Sequence, residues 1–436
     1  MRTGTATIDI TPPAGADLCG FVARVQPSVG VHDRLKARGL FLDSGDGRLL
    51  WLHAELIAVD AELTARVKAA LRERLGLDPA EVVLSATHTH AGPATVTLLN
   101  CGTIDPAYIV SLEERLVDVA VAAMNHTEET EMLFAEGTCT LAVDRRRKAS
   151  AHTDSRVATL AWRRPDGTYA AVLANYAMHN VAMAADNRLV SGDIAGEVAR
   201  RLAATLPGQP TVLLTNGACG NLNPPTPSHD FTKGKQCVST FDDMEQWGAT
   251  LADAITAAVR QATPMPIWRI RTSLAAIGVT LQGQTLAEIH ERAAKLHAEL
   301  DGQSGYIPDR VRGAIRAWEA MMAERFAASQ IPSHVPLGVQ AVSFAPVTFV
   351  CLGVEAFSRI ADDIRAQAAD AATYVVGYAN GDIGYLAPSA AYDEGGYETD
   401  SAFVFYGGLP VQRGEFERVA EQAARLARQT RDSVAS

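Results

Sequence analysis

The segment Thr87-His88-Thr89-His90 carries the residue types in this sequence that most plainly suggest metal chemistry. It follows a short apolar run at 81–86, which predicts a buried strand. In an extended chain, side chains two residues apart point the same way, so both imidazoles can face one metal. Alternatively, one histidine binds the metal while the other contacts the substrate. The spacing alone also fits two partly exposed histidines in a polar loop.

Three more candidate ligands follow other predicted strands. His179 ends an apolar strand and precedes a polar loop, in which Asp193 is expected to be the N-cap of a helix. Glu355 lies where a strand gives way to a helix, which suits either a helix N-terminal charge or the carboxylate of a mixed His/Glu zinc site. By its spacing alone, Tyr385 is a packing residue. None of these positions is decisive by itself.

The segment 215–224 is a loop of small residues that directly follows a predicted strand. Small residues let the backbone approach a ligand closely, although a tight connection between a strand and a helix has the same composition. Cys219 lies in this loop and could act as a nucleophile. That role is disfavoured, because such strand ends commonly bury cysteines and no histidine is near in sequence.

The elements that position these residues alternate between strands and helices along the whole chain. We therefore predict an α/β fold of mixed sheets surrounded by helices, in which ligand sites lie just beyond strand ends. The helices predicted at 285–301 and 307–326 form a helical hairpin, 285–326, which is the best candidate for an inserted cap. The sequence has no internal repeat. Strands are predicted at 4–10, 37–43, 49–58, 131–143, 156–163, 169–178, 211–215, 338–352 and 373–378.

The overall composition narrows the class of protein. The 436 residues carry a formal net charge of −11, which argues against binding to nucleic acid. The six cysteines form no C-x-x-C pair, so neither a disulfide framework nor a zinc knuckle is expected. The N-terminus lacks the apolar core of a signal peptide, and no apolar run is long enough to span a membrane. We expect a cytoplasmic protein with a small-molecule substrate; the sequence leaves its oligomeric state open.

The order of these motifs resembles the catalytic domain of the neutral/alkaline, non-lysosomal ceramidase family. The resemblance extends over essentially the whole chain, and its most specific stretch is 85–93. The other matching motifs are Ile8-Asp9-Ile10-Thr11-Pro12-Pro13, Cys19-Gly20-Phe21, 31–38, Asp144-Arg145-Arg146, His179, Ser191-Gly192-Asp193, 216–224, Gly353-Val354-Glu355 and 378–398.

The resemblance implies a site built around one zinc ion. Its four ligands would be His88, His179, Glu355 and Tyr385. The resemblance places His90 beside the metal as a catalytic residue. It also implies a single catalytic domain over 1–436, with no C-terminal immunoglobulin-like domain. The residues expected to contact the substrate are Gly20, Arg145 and Tyr397.

One departure from the family narrows the expected function. Ceramidases carry G-D-V-S-P in the strand-end loop, where this chain has Gly220-Asn221-Leu222-Asn223-Pro224. Asn223 cannot act as the serine would, but it can donate a hydrogen bond to an oxyanion. We therefore predict a zinc-dependent hydrolase that cleaves the amide bond of a small N-acyl compound other than ceramide. The alternatives are a zinc-dependent esterase or lactonase, and a metal-binding relative without activity. An amidohydrolase barrel ranks below these, because it would show an eightfold repeat.

Overall fold

The computed structural model of the protein describes residues 1–226, 239–265, 269–283 and 285–435. The strands are β1 (Arg2–Asp9), β2 (Gly30–Val31), β3 (Lys36–Asp43), β4 (Arg48–Ala54), β5 (Val82–Ala86), β6 (Thr127–Glu129), β7 (Glu131–Thr138), β8 (Val143–Asp144), β9 (Arg156–Arg163), β10 (Tyr169–Tyr176), β11 (Leu189–Val190), β12 (Thr211–Asn216), β13 (Leu222–Asn223), β14 (Thr263–Pro264), β15 (Arg271–Thr280), β16 (His334–Ser343), β17 (Thr348–Leu352), β18 (Glu355–Ala356), β19 (Thr373–Val376) and β20 (Tyr385–Leu386). The helices are α1 (Ala61–Leu75), α2 (Pro106–Asn125), α3 (Asp193–Thr205), α4 (Phe241–Gln261), α5 (Leu286–Ala298), α6 (Tyr306–Ala327), α7 (Arg359–Ala368), α8 (Ser389–Glu394), α9 (Tyr397–Asp400), α10 (Ala402–Phe405) and α11 (Glu415–Ala435).

Three larger sheets form the centre of the molecule. The first has the strand order β5-β4-β3-β1-β6, the second β12-β10-β9-β7-β14, and the third β15-β16-β17-β19. Each contains one parallel pair among its antiparallel ones: β4 with β5, β10 with β12, and β17 with β19. The predicted α/β fold with mixed sheets is therefore confirmed.

The three sheets share one apolar core. Trp51 of the first sheet, Trp162 of the second and Phe349 of the third belong to the same cluster of buried side chains, and each is fully buried. A second cluster packs α1 to α4 against the first two sheets, and a third packs α7 and α11 against the third sheet. Burial of this much apolar area is the main force that holds the sheets together.

Local signals explain where several helices begin. Asp60 caps α1 by accepting from the Leu63 amide, and Asp105 caps α2 with Pro106 at its first position. The prediction for Asp193 was wrong. Gly192 is the N-cap of α3, whereas the Asp193 carboxylate accepts from the amides of Ala182 and Ile194 and so ties a neighbouring loop to the helix.

Two other predicted elements differ from the structure. The single strand expected at 338–352 is a hairpin of β16 and β17, because Ala345 and Pro346 turn the chain. The helix expected from 355 begins at Arg359, since Glu355 lies in a short strand that pairs with β20. Glu355 is thus not a helix N-terminal charge.

The predicted helical hairpin is present as α5 and α6. Its apolar side packs on loops of the first sheet through Ile289, Trp318, Ile57 and Leu98, which belong to one buried cluster. In the described ranges, no helix combines the length and the apolarity that crossing a membrane requires.

Candidate metal centre

The histidine segment leaves the first sheet through a strained turn. β5 ends at Ala86, and His88 has a φ of 61°, a left-handed conformation that residues other than glycine rarely adopt. The segment is therefore not extended, and the geometric reason given for the convergence of the two imidazoles was wrong. They converge nevertheless, with 3.1 Å between Nε2 of His88 and Nε2 of His90. Strain of this kind concentrates at functional sites.

His179 reaches the same place from the second sheet, just beyond β10. Its amide donates to the Leu222 carbonyl at 2.9 Å, and its Nδ1 donates to the Cys219 carbonyl at 2.7 Å. The Nδ1 of His88 similarly lies 2.8 Å from the Ile57 carbonyl. Because a carbonyl only accepts, both Nδ1 atoms carry the hydrogen and both Nε2 atoms present lone pairs when the ring is neutral.

Glu355 brings a carboxylate to these lone pairs from beyond the third sheet. Its Oε2 lies 3.1 Å from Nε2 of His179 and 3.5 Å from Nε2 of His88. The His179 contact is close, but Nε2 of His179 has no partner with hydrogen-bond geometry among the described residues. All three side chains are almost fully buried. An acceptor lone pair that faces a carboxylate without a hydrogen bond is the arrangement that a cation between them would complete.

The buried charges of the cluster are strongly coupled. Burial alone raises the pKa of a carboxyl, but the adjacent His88 and His179 outweigh it and hold the pKa of Glu355 far below its ordinary value. Burial lowers the pKa of His88 to about 4. Burial acts the same way on His179, but its contacts with Cys219 and Glu355 prevail and raise its pKa to about 9. A cation bound here would replace the proton of His179, since a metal-binding imidazole must be neutral.

Tyr385 lies beside Glu355, and its role as a ligand stays a prediction. It is the direct partner of Glu355 in the parallel pair of β18 and β20, so the two side chains lie next to each other. Its hydroxyl accepts a hydrogen bond from Nη2 of Arg145 at 3.1 Å. A small cavity of about 30 Å³, lined in part by Tyr385, Tyr406 and Glu398, adjoins it and has room for one or two water molecules.

Two overlapping sets of donors can therefore hold a metal. His88, His90 and His179 each offer one nitrogen, and these nitrogens all lie within 4.8 Å of one another. The set implied by the resemblance shares His88 and His179 but takes Glu355 and Tyr385 in place of His90. Imidazole and carboxylate donors in a buried cluster fit Zn²⁺. The assignment of His90 as a residue beside the metal stays a prediction.

Arg145 connects the predicted substrate residues. Its Nε donates to Oε1 of Glu398 at 2.9 Å, and its Nη1 donates to Oδ1 of Asn223 at 3.3 Å. Because a guanidinium only donates, the amide oxygen of Asn223 must face Arg145. The buried Nδ2 of Asn223 then remains as a donor without a partner in the described part of the chain. This is the group expected to serve an oxyanion.

Gly20 and Tyr397 border the cluster in different ways. Gly20 has a φ of 106°, and a Cβ built on it would lie 2.5 Å from Nδ1 of His90, so the absence of a side chain makes room for that imidazole. Tyr397 is 41% exposed, and its ring centroid lies 5.7 Å from that of Tyr385. Only Tyr397 of the two therefore presents a side chain toward solvent, where a substrate could reach it.

Sequence reasoning missed two tyrosines that bind Glu355. Tyr378 donates to Oε2 at 3.1 Å, and its ring stacks on His88 with centroids 4.0 Å apart. Tyr406 donates to Oε1. Tyr378 belongs to a motif that was matched without a role, and its φ of 52° marks it as strained, but strain is invisible in a sequence. Nothing in the spacing of Tyr406 points to Glu355.

Two arrangements that look catalytic carry no such role. His152 contacts Oγ of Ser358 at 2.8 Å and Oδ2 of Asp362 at 2.7 Å, in the order of a hydrolase triad. Ser358 is fully buried, however, and its hydroxyl donates to the His152 carbonyl. Cys219 is also fully buried, with its Sγ 3.5 Å from the Tyr378 hydroxyl. Neither nucleophile is accessible to a substrate.

Comparison with known proteins defines the class of fold first. The structure of neutral ceramidase from Pseudomonas aeruginosa superposes with a TM-score of 0.76 and 16% identity, over 99% of this chain and 74% of that one. A structure described as ceramidase complexed with C2 gives a TM-score of 0.75 at 15% identity, over 99% of this chain and 75% of that one. This chain has the α/β fold of those proteins.

The N-terminal part of the chain is also similar in sequence to one family. Residues 1–131 match the model for the N-terminal region of neutral/alkaline non-lysosomal ceramidases. Neutral ceramidase B of Dictyostelium discoideum is 33% identical over 98 residues, which are 21% of this chain and 14% of that protein. Neutral ceramidase A of the same organism is 34% identical over a segment of the same length and the same shares. The match thus spans about a seventh of those relatives' length. The chain is thus similar to the neutral/alkaline non-lysosomal ceramidases, as its motifs predicted.

Proposed function

We propose that the protein is a zinc-dependent hydrolase that cleaves the amide bond of a small N-acyl compound. The observation that carries the proposal is the buried convergence of His88, His90, His179 and Glu355 from beyond three different sheets. The relationship to proteins named neutral ceramidases supports hydrolysis of an amide. Zinc, when bound, polarises a substrate carbonyl and lowers the pKa of a coordinated water to about 7.

The residues around the cluster suit acyl transfer. The Nδ2 donor of Asn223 is buried and available to a developing oxyanion, where one such hydrogen bond contributes a factor of about 100 to 1,000 in rate. His90 lies at hydrogen-bonding distance from His88 and can stabilise the same oxygen or pass a proton to the leaving group. Tyr397 lies at the exposed edge, where it can contact the acyl or amine portion of the substrate.

Asn223 also supports a substrate other than ceramide, because ceramidases have a serine at the matching position of this loop. Arg145 donates to the amide oxygen of Asn223, which orients this side chain with its nitrogen available as a hydrogen-bond donor. An amide side chain offers no nucleophile. An ester or a lactone would place its carbonyl in the same way. We therefore keep ester hydrolysis, and metal binding without turnover, as outcomes of the test.

The decisive experiment pairs metal analysis with turnover. The purified protein is loaded with zinc, desalted, and assayed for bound metal and for hydrolysis of a panel in which each N-acyl amide is matched by its ester. We expect one zinc per chain and faster turnover of the amides. His179→Ala should lose both the metal and the activity. The control is His53→Ala, because His53 is equally buried but bonds to Ser85 outside the cluster.

Three results would contradict parts of the proposal. Zinc and full activity in His179→Ala would refute the metal site. Preference for esters throughout the panel would assign an esterase or lactonase. Zinc binding without turnover of any member of the panel would indicate a metal-binding relative that has lost activity.

A further inference from the structure

Arg24 is a buried arginine that contacts the histidine segment from behind. It is 5% exposed, and its Nη1 donates to the carbonyls of His90 at 2.8 Å and Cys19 at 3.1 Å. Its Nη2 donates to the carbonyl of Ala184 at 3.2 Å. One guanidinium thus ties together the N-terminal loop, the histidine segment and the loop that follows His179.

The same guanidinium also reaches the His90 ring through Phe21. Cζ of Arg24 lies 5.0 Å from the centroid of the Phe21 ring, within the range of a cation–π contact. The Phe21 ring in turn meets the His90 ring nearly edge to face, with centroids 5.0 Å apart. The main chain at Gly20 also packs against that imidazole, so closely that a Cβ there would lie 2.5 Å from Nδ1. Arg24 therefore holds the backbone of His90 directly and its ring through Phe21.

An arginine is suited to this task for geometric reasons. Its planar fork presents several donors at fixed angles, so one side chain can serve three carbonyls that come from different segments. A buried cation is costly unless its donors are satisfied, and carbonyl oxygens supply that compensation for the two Nη atoms, whereas the buried Nε has no partner among the described residues. A lysine would keep the charge without the fixed fork, and a methionine would keep only the volume.

We infer that Arg24 is a positioning residue that fixes His90 at the histidine cluster through the His90 carbonyl and the Phe21 ring. The inference rests on the proposed function for its effect on turnover, but its effect on the placement of His90 does not. The hydrogen bonds described for Arg24 are to main-chain carbonyls, so it acts through His90 and is distinct from the proposed ligands.

A second arginine, Arg310 of α6, binds the same N-terminal loop and provides a matched control. Arg24→Met removes the fork from His90. Arg310→Met is the control, because Arg310 donates to the carbonyls of Val22 and Asn100 and lies over the Tyr306 ring at 6.0 Å, without touching His90. The full chain is labelled with ¹⁵N-histidine, and the imidazole nitrogens are followed with and without zinc. The His90 signals are assigned from His90→Gln. Steady-state constants are measured on the best amide of the panel.

We expect Arg24→Met to shift or broaden the His90 imidazole signals while those of His88 and His179 stay in place. Its kcat should fall about 10- to 100-fold, because a displacement of about 1 Å at a reacting group costs up to about 100-fold, and KM should change little. Arg24→Lys should shift the His90 signals in the same direction by less, and it replaces the methionine variant if that does not fold. Arg310→Met should leave the His90 imidazole signals and kcat unchanged.

The inference is overturned if Arg24→Met leaves the His90 signals unchanged, or if Arg310→Met moves them as much. The second result would show that general loop integrity controls His90. If the wild-type protein hydrolyses nothing in the panel, the proposed function fails, and the imidazole spectra still decide the role of Arg24.

Discussion

His88 and His179 are fixed by main-chain carbonyls, whereas Arg145 and Asn223 are fixed largely by other side chains, and Arg145 has one main-chain anchor, the Gly220 carbonyl at 2.8 Å. The Nδ1 atoms of the two histidines bond to the carbonyls of Ile57 and Cys219, which the packed sheets hold in place. On the other side of the site, Arg145 depends on the Glu398 carboxylate, and Asn223 depends on Arg145. The two histidines are thus anchored directly on the scaffold, whereas Glu355, Arg145 and Asn223 depend on neighbouring side chains.

This difference indicates which changes each side should tolerate. A single side-chain substitution near the two histidines leaves their carbonyl anchors in place, so the ligands themselves should control metal binding most strongly. A single substitution on the arginine side should disturb several residues at once, because they are linked in series. The predictions below test that contrast.

The largest effect should come from Glu355→Gln, which removes the only negative charge among the proposed ligands while preserving shape. A neutral amide is a poor zinc ligand, so we expect zinc affinity to fall by more than about 100-fold, beyond the 10- to 100-fold typical of changes around the ligands. Competition with a zinc-binding dye measures the affinity. Unchanged affinity would indicate that the three histidines bind the metal without Glu355.

Glu398→Gln makes the matching change on the arginine side. Glu398 binds Arg145 at 2.9 Å and Arg146 at 2.7 Å, so loss of its charge leaves two largely buried cations poorly compensated. We expect the free energy of unfolding to drop by about 2–4 kcal/mol and turnover to drop by about 10-fold or more. Zinc content should stay the same. Loss of zinc in this variant would show that the two sides are not separate.

Gly20→Ala should displace His90 alone. The new Cβ would lie 2.5 Å from Nδ1 of His90, so the imidazole must move. We expect kcat to fall by about 10-fold or more. Gly15→Ala is the control. Gly15 has a φ of 84°, and a Cβ built on it would have no atom within 4 Å, so this substitution adds backbone strain without a clash. Metal analysis of Gly20→Ala distinguishes the two donor sets. Retained zinc would support His90 as a residue beside the metal, whereas loss of zinc would indicate that His90 is a ligand.

Tyr378→Phe should have a smaller effect on the cluster. It removes the hydroxyl that donates to Oε2 of Glu355 at 3.1 Å but keeps the ring stacked on His88. Groups that orient ligands typically contribute 10- to 100-fold in affinity, and Tyr406 continues to hold the other oxygen, so we expect about a 10-fold loss of zinc affinity. The dye competition assay measures it. A loss as large as that of Glu355→Gln would contradict the independence of the carbonyl anchors.

Lys68→Met tests a buried charge that belongs to neither side and should change neither zinc content nor turnover. Burial lowers the pKa of the Lys68 ammonium to about 8, and its hydrogen bond to Gln340 is long, at 3.4 Å. The unfolded chain holds this proton more tightly, so Lys68 destabilises the fold below pH 8, and the penalty is relieved as pH rises from about 8 to about 10. We expect the methionine variant to be more stable by about 1–3 kcal/mol at pH 7, with the gain shrinking in that window. Urea unfolding at several pH values checks this.

Much of the site could be predicted because its residues lie in short motifs with an order along the chain. His88, His179 and Glu355 lie close together and Tyr385 pairs with Glu355, while their role as the four ligands stays a prediction. The contacts that hold them could not be predicted, because they join residues far apart in sequence. Tyr406 bonds to Glu355 only after β18 and β20 pair, and Arg24 reaches His90 across a loop. The left-handed backbone of His88 was missed since its sequence continues a strand pattern.

The three-sheet core has a consequence for how the protein matures. His88, His179 and Glu355 each follow a strand of a different sheet, and long stretches of chain separate them. Contacts between such distant segments form slowly, so the cluster should close among the last steps of folding. If zinc binds as proposed, it would join the three sheets in the folded protein. It would stabilise the native state in proportion to the logarithm of the free metal concentration. Cells short of zinc would then accumulate chains whose individual sheets are folded but whose contacts between the sheets open easily.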